Sequence, residues 1–498
     1  MGRFGEEIGS SQFGAMILVH APVKNTHEAL ARISYVEVTF AGQAFRLGRY
    51  PIHFHLNGDM STSYVRGCSI HHTFNRAVNI HGVHNTMVES NVIYNVMGGA
   101  MFLEDGIETG NTFQYNLAVF VRESSSLLND DVTPASFWVT NPNNTIQHNA
   151  AAGGTHFGFW YRMHNRPDGP SFTESVCPKQ VPLGIFYNNS AHSFGWFGLW
   201  IFPDYFPRAD GCNGGDVEPA VFESLFSWNN DKGAEAVNSG ALQFDNFVLV
   251  QNKLAGYEGK SVSGVPQYTD KSPMVKNSLI VGRTTVIPDS TQGCTNAGIV
   301  LPFGRGFKVS NVRFVNFDAN CACFGFTRIT GTCSDQCGGF TYHTEQISFI
   351  NSPNKGSHAW EWEGIILDLD GTITDKPANW TILPSSGTVP DDCEPFSAFS
   401  RNIPASVCPP QYKWHRFAFN NPKPSSLEGK DFMFTNQYGN STVMFMKKRL
   451  THPMGWMCAL VGGATYKFTF VNGDQFKNIS YVGAFFDFDV SFFSHFYF

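Results

Sequence analysis

The feature that most constrains this chain is an internal repeat of uneven period. Cys68-Ser69-Ile70-His71-His72 through Asn79-Ile80-His81-Gly82 recurs as Asn91-Val92-Ile93-Tyr94-Asn95 through Phe102-Leu103-Glu104-Asp105, 23 residues on. Another copy starts 25 residues later at Asn116, and further copies begin at Asn149, Asn189, Ser224 and Asn246. Each unit is a pair of short β-rich runs broken by an Asn or Gly bend, with no helical period. One such unit cannot bury its inward face alone and must stack on its neighbours. The Leu-x-x-Leu-x-Leu frame of leucine-rich repeats is absent. The expected fold is therefore all-β: a right-handed parallel β-helix over residues 46–355, then a smaller β-rich domain at 356–498, where Pro- and Cys-bearing segments punctuate shorter strands. Residues 1–45 read as entry strands or the end of a preceding β domain. The longer insertions Arg122 to Pro134 and Arg166 to Pro182 should project from one side and border a binding groove.

Composition agrees. Charged and aromatic residues each make up 15% of the chain, with 47 Phe and 48 Gly, which suits stacked β ladders better than long helices or disorder. The net charge of -7 and the scatter of Lys and Arg exclude nucleic acid as an expected partner. Seven of the 11 cysteines (Cys294, Cys321, Cys323, Cys333, Cys337, Cys393, Cys408) cluster late in the chain and read as disulfides of an oxidising compartment. A zinc site at Cys321, Cys323, Cys333 and Cys337 is the rival reading, on spacings that are not a standard zinc pattern. Sequons at Asn143, Asn188, Asn379, Asn440 and Asn478 make glycosylation expected on the secretory route. The N-terminus lacks signal architecture and no run of about 18 apolar residues occurs. The chain reads as cytosolic or, as the sequons favour, as a piece of a longer protein cut at both ends.

The densest polar block is Gly48-Arg49-Tyr50-Pro51-Ile52-His53-Phe54-His55-Leu56-Asn57-Gly58-Asp59. In a strand, His53 and His55 fall on one face. Paired imidazoles can bind metal, shuttle protons or stack on a sugar, with Arg49 and Asp59 adding a cation and a carboxylate; the plainer alternative is a hydrogen-bonded polar ladder. The repeat sets His81 over Glu104 and His71 over Tyr94. If the register holds, one face gathers His53, His55, His71, His72, His81, Glu104 and Asp105. Glu104-Asp105-Gly106-Ile107-Glu108 packs three carboxylates together, and glycoside hydrolysis needs one protonated and one ionised. Trp160 and Trp200 match at an offset of 40, as stacked core aromatics or a sugar platform. Asp368-Leu369-Asp370-Gly371-Thr372 has the shape of a haloacid-dehalogenase phosphatase motif, but no helical pattern surrounds it. A turn, cation-binding or not, is the reading kept. No cofactor is required; calcium is the one ion entertained, and metal ligands are left open.

The Arg49-to-His55 block, Ile70-His71-His72-Thr73-Phe74-Asn75-Arg76 and Glu104-Asp105-Gly106 resemble the superfamily of fibrocystin-L-type receptors and cell-surface hyaluronidases. Leu127 to Pro134, Gly153 to Arg162 and Lys447 to His452 resemble its fibrocystin-L branch. The resemblance implies a glycosylated, single-pass cell-surface receptor with G8 domains, the G8-type β domain ending near residue 45 and the membrane segment lying outside this chain. It implies a receptor or cell-coat segment binding an extracellular glycan or protein without catalysis; His71, His72, His81, Arg76, Trp160 and Arg162 are the candidate ligand contacts. The alternative is a hyaluronan-depolymerising enzyme: the hyaluronidase branch implies roles for Arg49 and Asp59, Arg49 holding a substrate carboxylate while Asp59, Glu104 or a histidine does acid-base work, with His53, His55 and Asp105 as further catalytic candidates. The loop from Asp59 to Tyr64 is shorter here than in that branch.

Overall fold

The computed structural model describes residues 12–485 except 22, 24–25, 27–28, 45, 125–131, 286–292, 319–323, 327–340, 359–363, 385–386, 401–402, 421–422, 446–454 and 472–483. Cys321, Cys323, Cys333, Cys337, Asn478, most of Leu127–Pro134 and the Lys447–His452 motif lie outside the described residues.

The described residues form strands and a few 3₁₀ turns, without an α-helix. One sheet has 11 strands, each pairing in parallel with the next: Ile17–His20, Ile52–Asp59, Val78–His84, Met101–Leu103, Ala135–Val139, Phe157–Tyr161, Phe197–Tyr205, Lys232–Ser239, Ala255–Val262, Ala297–Val300 and Phe324–Phe326. The strands between them build a second, larger assembly whose parallel ladder runs to Ile365–Asp368. This is the stacked parallel β-helix that the repeat predicts. Its core is one continuous apolar column from Ile52 to Val407, because every coil contributes its inward residues to the same axis.

The bends explain the Asn periodicity. Asn91, Asn116, Asn149 and Asn189 are buried one above another, each side chain accepting the backbone N–H of the equivalent residue in the preceding coil. Their amides also donate along the stack, so the polar groups exposed by a corner are satisfied. The residue before each one (Ser90, Tyr115, His148, Asn188) has positive φ, the turn that swings the chain to the next face. Ser224 and Asn246 occupy this left-handed position, so the repeat starts read at those two residues are one out of step, and Leu225 and Phe247 take the inward place.

Past Asp368 the pairing turns antiparallel through Trp380–Pro384 and Ala405–Cys408. Two three-stranded antiparallel sheets follow around a separate core of Phe417, Phe432, Phe434 and Trp456. The Asp368–Thr372 motif is a tight turn: Asp368 accepts the N–H groups of Ile373 and Thr374, and Asp370 those of Gln346 and Thr372. Cys393 is bonded to Cys408, and Cys177 to Cys212.

Candidate functional site

Side chains on the outward face of the 11-stranded sheet fall into columns one coil apart. Register puts His20, His55 and His81 in one column, and Glu104, whose N–H bonds Ile80 O, comes next. The neighbouring column runs His53, Asn79, Phe102, Trp138, Trp160, Trp200, Glu235 and Glu258. Of the residues expected to carry function, His53, His55, His81, Glu104 and Trp160 therefore share one face.

At the N-terminal end of this face three imidazoles converge. Rings of His53 and His81 stack at 5.9 Å, and His55 meets both edge-on at 5.1 and 4.8 Å. His53 Nδ1 lies 3.0 Å from Gly48 O, which makes that nitrogen the donor. Its Nε2 is buried without a hydrogen bond, 3.9 Å from Glu104 Oε2. Burial, reinforced by the neighbouring imidazoles and Arg76, holds its pKa down to about 3. Burial and the adjoining His81 and His20 likewise lower His55 to about 4. Burial opposes protonation of His81 too, but the 2.7 Å bond from Nε2 to Asp105 Oδ2 and the fields of Glu104 and Glu108 outweigh it, and its pKa rises.

The carboxylates are all engaged. Glu104 accepts from Asn79 Nδ2 at 2.6 Å and Tyr50 OH at 3.4 Å. Glu108 is fully buried and accepts backbone N–H groups of Gly82, Asp105 and Gly106, the last with φ +91°. Burial, reinforced by the charge of Asp105, pushes its pKa up to about 7 against the Gly82 and Asp105 N–H donors. The insertion at 166–182 lies beside this corner, where Asp168 N bonds Asp105 O at 2.8 Å, and the Cys177–Cys212 disulfide ties its far end to a second loop.

Other expected site residues separate from the cluster. His71 and His72 belong to the strand Ser69–Thr73 of the other assembly, His71 over Tyr94 as read, because the bend at 74–77 turns the chain before His81. They are bonded to each other, and His71 to Glu37 at 2.8 Å. Arg49 is exposed, its guanidinium 3.7 Å from the Met16 sulfur. Asp59 is exposed at the end of its strand, four residues beyond His55, and accepts Ser61 N–H at 2.9 Å. Arg76 is 4% exposed, stacked 3.9 Å above Phe102 and near Trp138 and Tyr50. It is a structural cation, so it cannot reach a ligand from there. Trp160, 3% exposed, is sandwiched between Trp138 and Trp200 at 4.3 and 5.1 Å. The core-stack reading thus holds for it. Arg162 is half-buried, against Trp160 and 3.3 Å from His164. Arg66, paired to Glu89, lies on the other assembly. Asn143, Asn188, Asn379 and Asn440 are exposed. Sequence reasoning missed His20, Asn79 and Tyr50; His20 precedes the legible repeat and carries no signal of its register.

A stacked parallel β-helix with a histidine-rich outer face is the class of protein this geometry defines, and the family model described as CEMIP beta-helix matches residues 12–199. The chain is 51% identical to Fibrocystin-L of Homo sapiens over 98% of its own length and 12% of that protein's. It is 29% identical to the Cell migration-inducing and hyaluronan-binding protein of Mus musculus over 72% of this chain and 33% of that one. With Cell surface hyaluronidase of Danio rerio it shares 33% identity over 40% of this chain and 16% of that one. It is fibrocystin-L-like over nearly its whole length, and it spans about an eighth of the length of the Fibrocystin-L relatives it matches.

Proposed function

We propose that this chain is an extracellular segment of a cell-surface, receptor-like protein that binds a glycan along the outward face of the 11-stranded sheet, without cleaving it. One observation carries the reading. The face sets a hydrogen-bonding column beside an aromatic one that opens at half-buried Trp200 and 43%-exposed Trp196, while each carboxylate described there is tied to internal donors. Aromatic planes flanked by polar groups suit a sugar, whose faces are apolar and whose rim is hydroxylated. A glycosidase needs two carboxyl groups flanking the bond, one able to give a proton. Asp59 stands apart from Glu104 and Asp105 by most of a strand, roughly 13 Å for four residues. Extracellular placement rests on the disulfides, the exposed sequons and the similarity to the named cell-surface relatives.

The second reading, hyaluronan depolymerisation, draws on the similarity to Cell surface hyaluronidase and on exposed Arg49 and Asp59. Incubating the glycosylated chain with high-molecular-weight hyaluronan, with and without calcium, separates the two. The expected result is full-length polymer on a gel, with retention of hyaluronan oligosaccharides on immobilised protein that Trp196→Ala weakens. Shortening that vanishes in Arg49→Ala would replace binding by catalysis.

A further inference from the structure

We infer that His53, His55 and His81, with Glu104 closing the set, form a binding site for one divalent transition-metal ion of the zinc class. One ligand nitrogen from each histidine lies within 4.8 Å of the other two. Nitrogens around a tetrahedral zinc, each about 2.0–2.1 Å from the ion, are roughly 3.4 Å apart, so closing on a metal asks each ring to move by less than about 1 Å.

Hydrogen bonding has already sorted the ring nitrogens. His53 is anchored through Nδ1 to Gly48 O at 3.0 Å, and its buried Nε2 has no hydrogen-bond partner. His81 is anchored through Nε2 to Asp105 at 2.7 Å, which turns Nδ1 inward. His55 meets His20 through Nδ1 at 3.0 Å, leaving Nε2 for an ion. A metal-bound imidazole characteristically gives its second nitrogen to a carbonyl or carboxylate that fixes its tautomer and angle, and two of the three rings have that support before any ion arrives. Glu104 Oε2 faces the same two unanchored nitrogens, 3.9 Å from His53 Nε2 and 3.5 Å from His81 Nδ1. An orphaned buried nitrogen and a carboxylate oxygen just beyond hydrogen-bond distance are what an ion between them would account for.

Donor chemistry narrows the ion. Calcium and magnesium take oxygen ligands, whereas three imidazoles and one carboxylate suit zinc, cobalt or nickel. Glu104 and Asp105 also place two carboxylates against the imidazoles, a negative setting for a dication. The site stands whether or not the face binds a glycan, and its test does not involve one.

The test is zinc itself, added to the untagged, glycosylated chain after chelator stripping and read by calorimetry and elemental analysis. The expected result is about one zinc per chain, undisturbed by excess calcium, lost in His55→Gln and in His81→Ala. Asp105→Asn, which removes only the support of His81, should keep the stoichiometry and weaken affinity by roughly 10- to 100-fold. His55 is the most exposed of the three rings, so His55→Gln guards against misfolding; its circular dichroism should match the parent's. Failure of the parent to bind zinc, or unchanged zinc content in both histidine variants, overturns the site.

Discussion

His358 shows how a single side chain can set the acid limit of a fold this size. Its imidazole is fully buried, with neither ring nitrogen hydrogen-bonded, and burial holds its pKa down to about 3. An unfolded chain binds that proton near pH 6.5, so the folded form loses stability as pH falls below that value and continues to lose it down to the folded pKa. Between pH 7 and pH 5 the loss is on the order of 2 kcal/mol. We expect His358→Phe to flatten the fall in melting temperature over this range relative to the parent, as scanning calorimetry would show; parallel profiles would mean that the imidazole already charges in the native state. The opposite case is the exposed pair Arg49 and Asp59. Alanine at either should change stability by less than about 1 kcal/mol, as is usual for exposed side chains. A melting point within error of the parent's would establish that any loss of ligand in these variants is local.

At the scale of the element, the Asn ladder is where local chemistry becomes a stacking rule. Asn149 accepts from Asn116 N and Nδ2 and donates to Phe113 O and to Asn189 Oδ1, all buried. Asn149→Ala would leave several of these groups unpaired at about 1–3 kcal/mol each. We expect a fall of several degrees in the melting temperature and a larger loss than at Asn246, whose side chain points outward and bonds Ser224 at 3.5 Å. Equal effects at the two positions would count against the ladder. The ladder was legible because Asn recurs at bends whatever the loop length between them, and so were His81 over Glu104 and Trp160 over Trp200. The wrong assignment of His71 and His72 has a physical origin. A repeat unit holds strands of both assemblies, and the period does not record the corner that divides them. The repeat alone leaves open whether Trp160 is a core stack or a sugar platform; Trp138 and Trp200 in the adjoining coils decide it, and Phe102, Trp138 and Tyr50 likewise cover Arg76.

Across the whole molecule, a stack of coils is quasi-one-dimensional, so resistance to opening should follow position along it. The strand Phe157–Tyr161 is paired on both sides, by Ala135–Val139 and Phe197–Tyr205, and all five of its residues are buried. Ile17–His20 pairs with Ile52–Asp59 on one side among the described residues, and three of its four side chains are exposed. Opening the first costs two sets of backbone hydrogen bonds and a slab of aromatic core; opening the second costs one set and little apolar surface. Amide hydrogen exchange on this chain should therefore be fastest at Ile17–His20, slower at Ile52–Asp59, and slowest across the rungs from Trp138 to Tyr257. If His53, His55 and His81 hold zinc, the ion joins the strands Ile52–Asp59 and Val78–His84 and works against their separation. Added zinc should then raise protection at those two strands and leave Phe157–Tyr161 unchanged. A uniform slowing along the whole stack would instead mean that the coils open as one cooperative body.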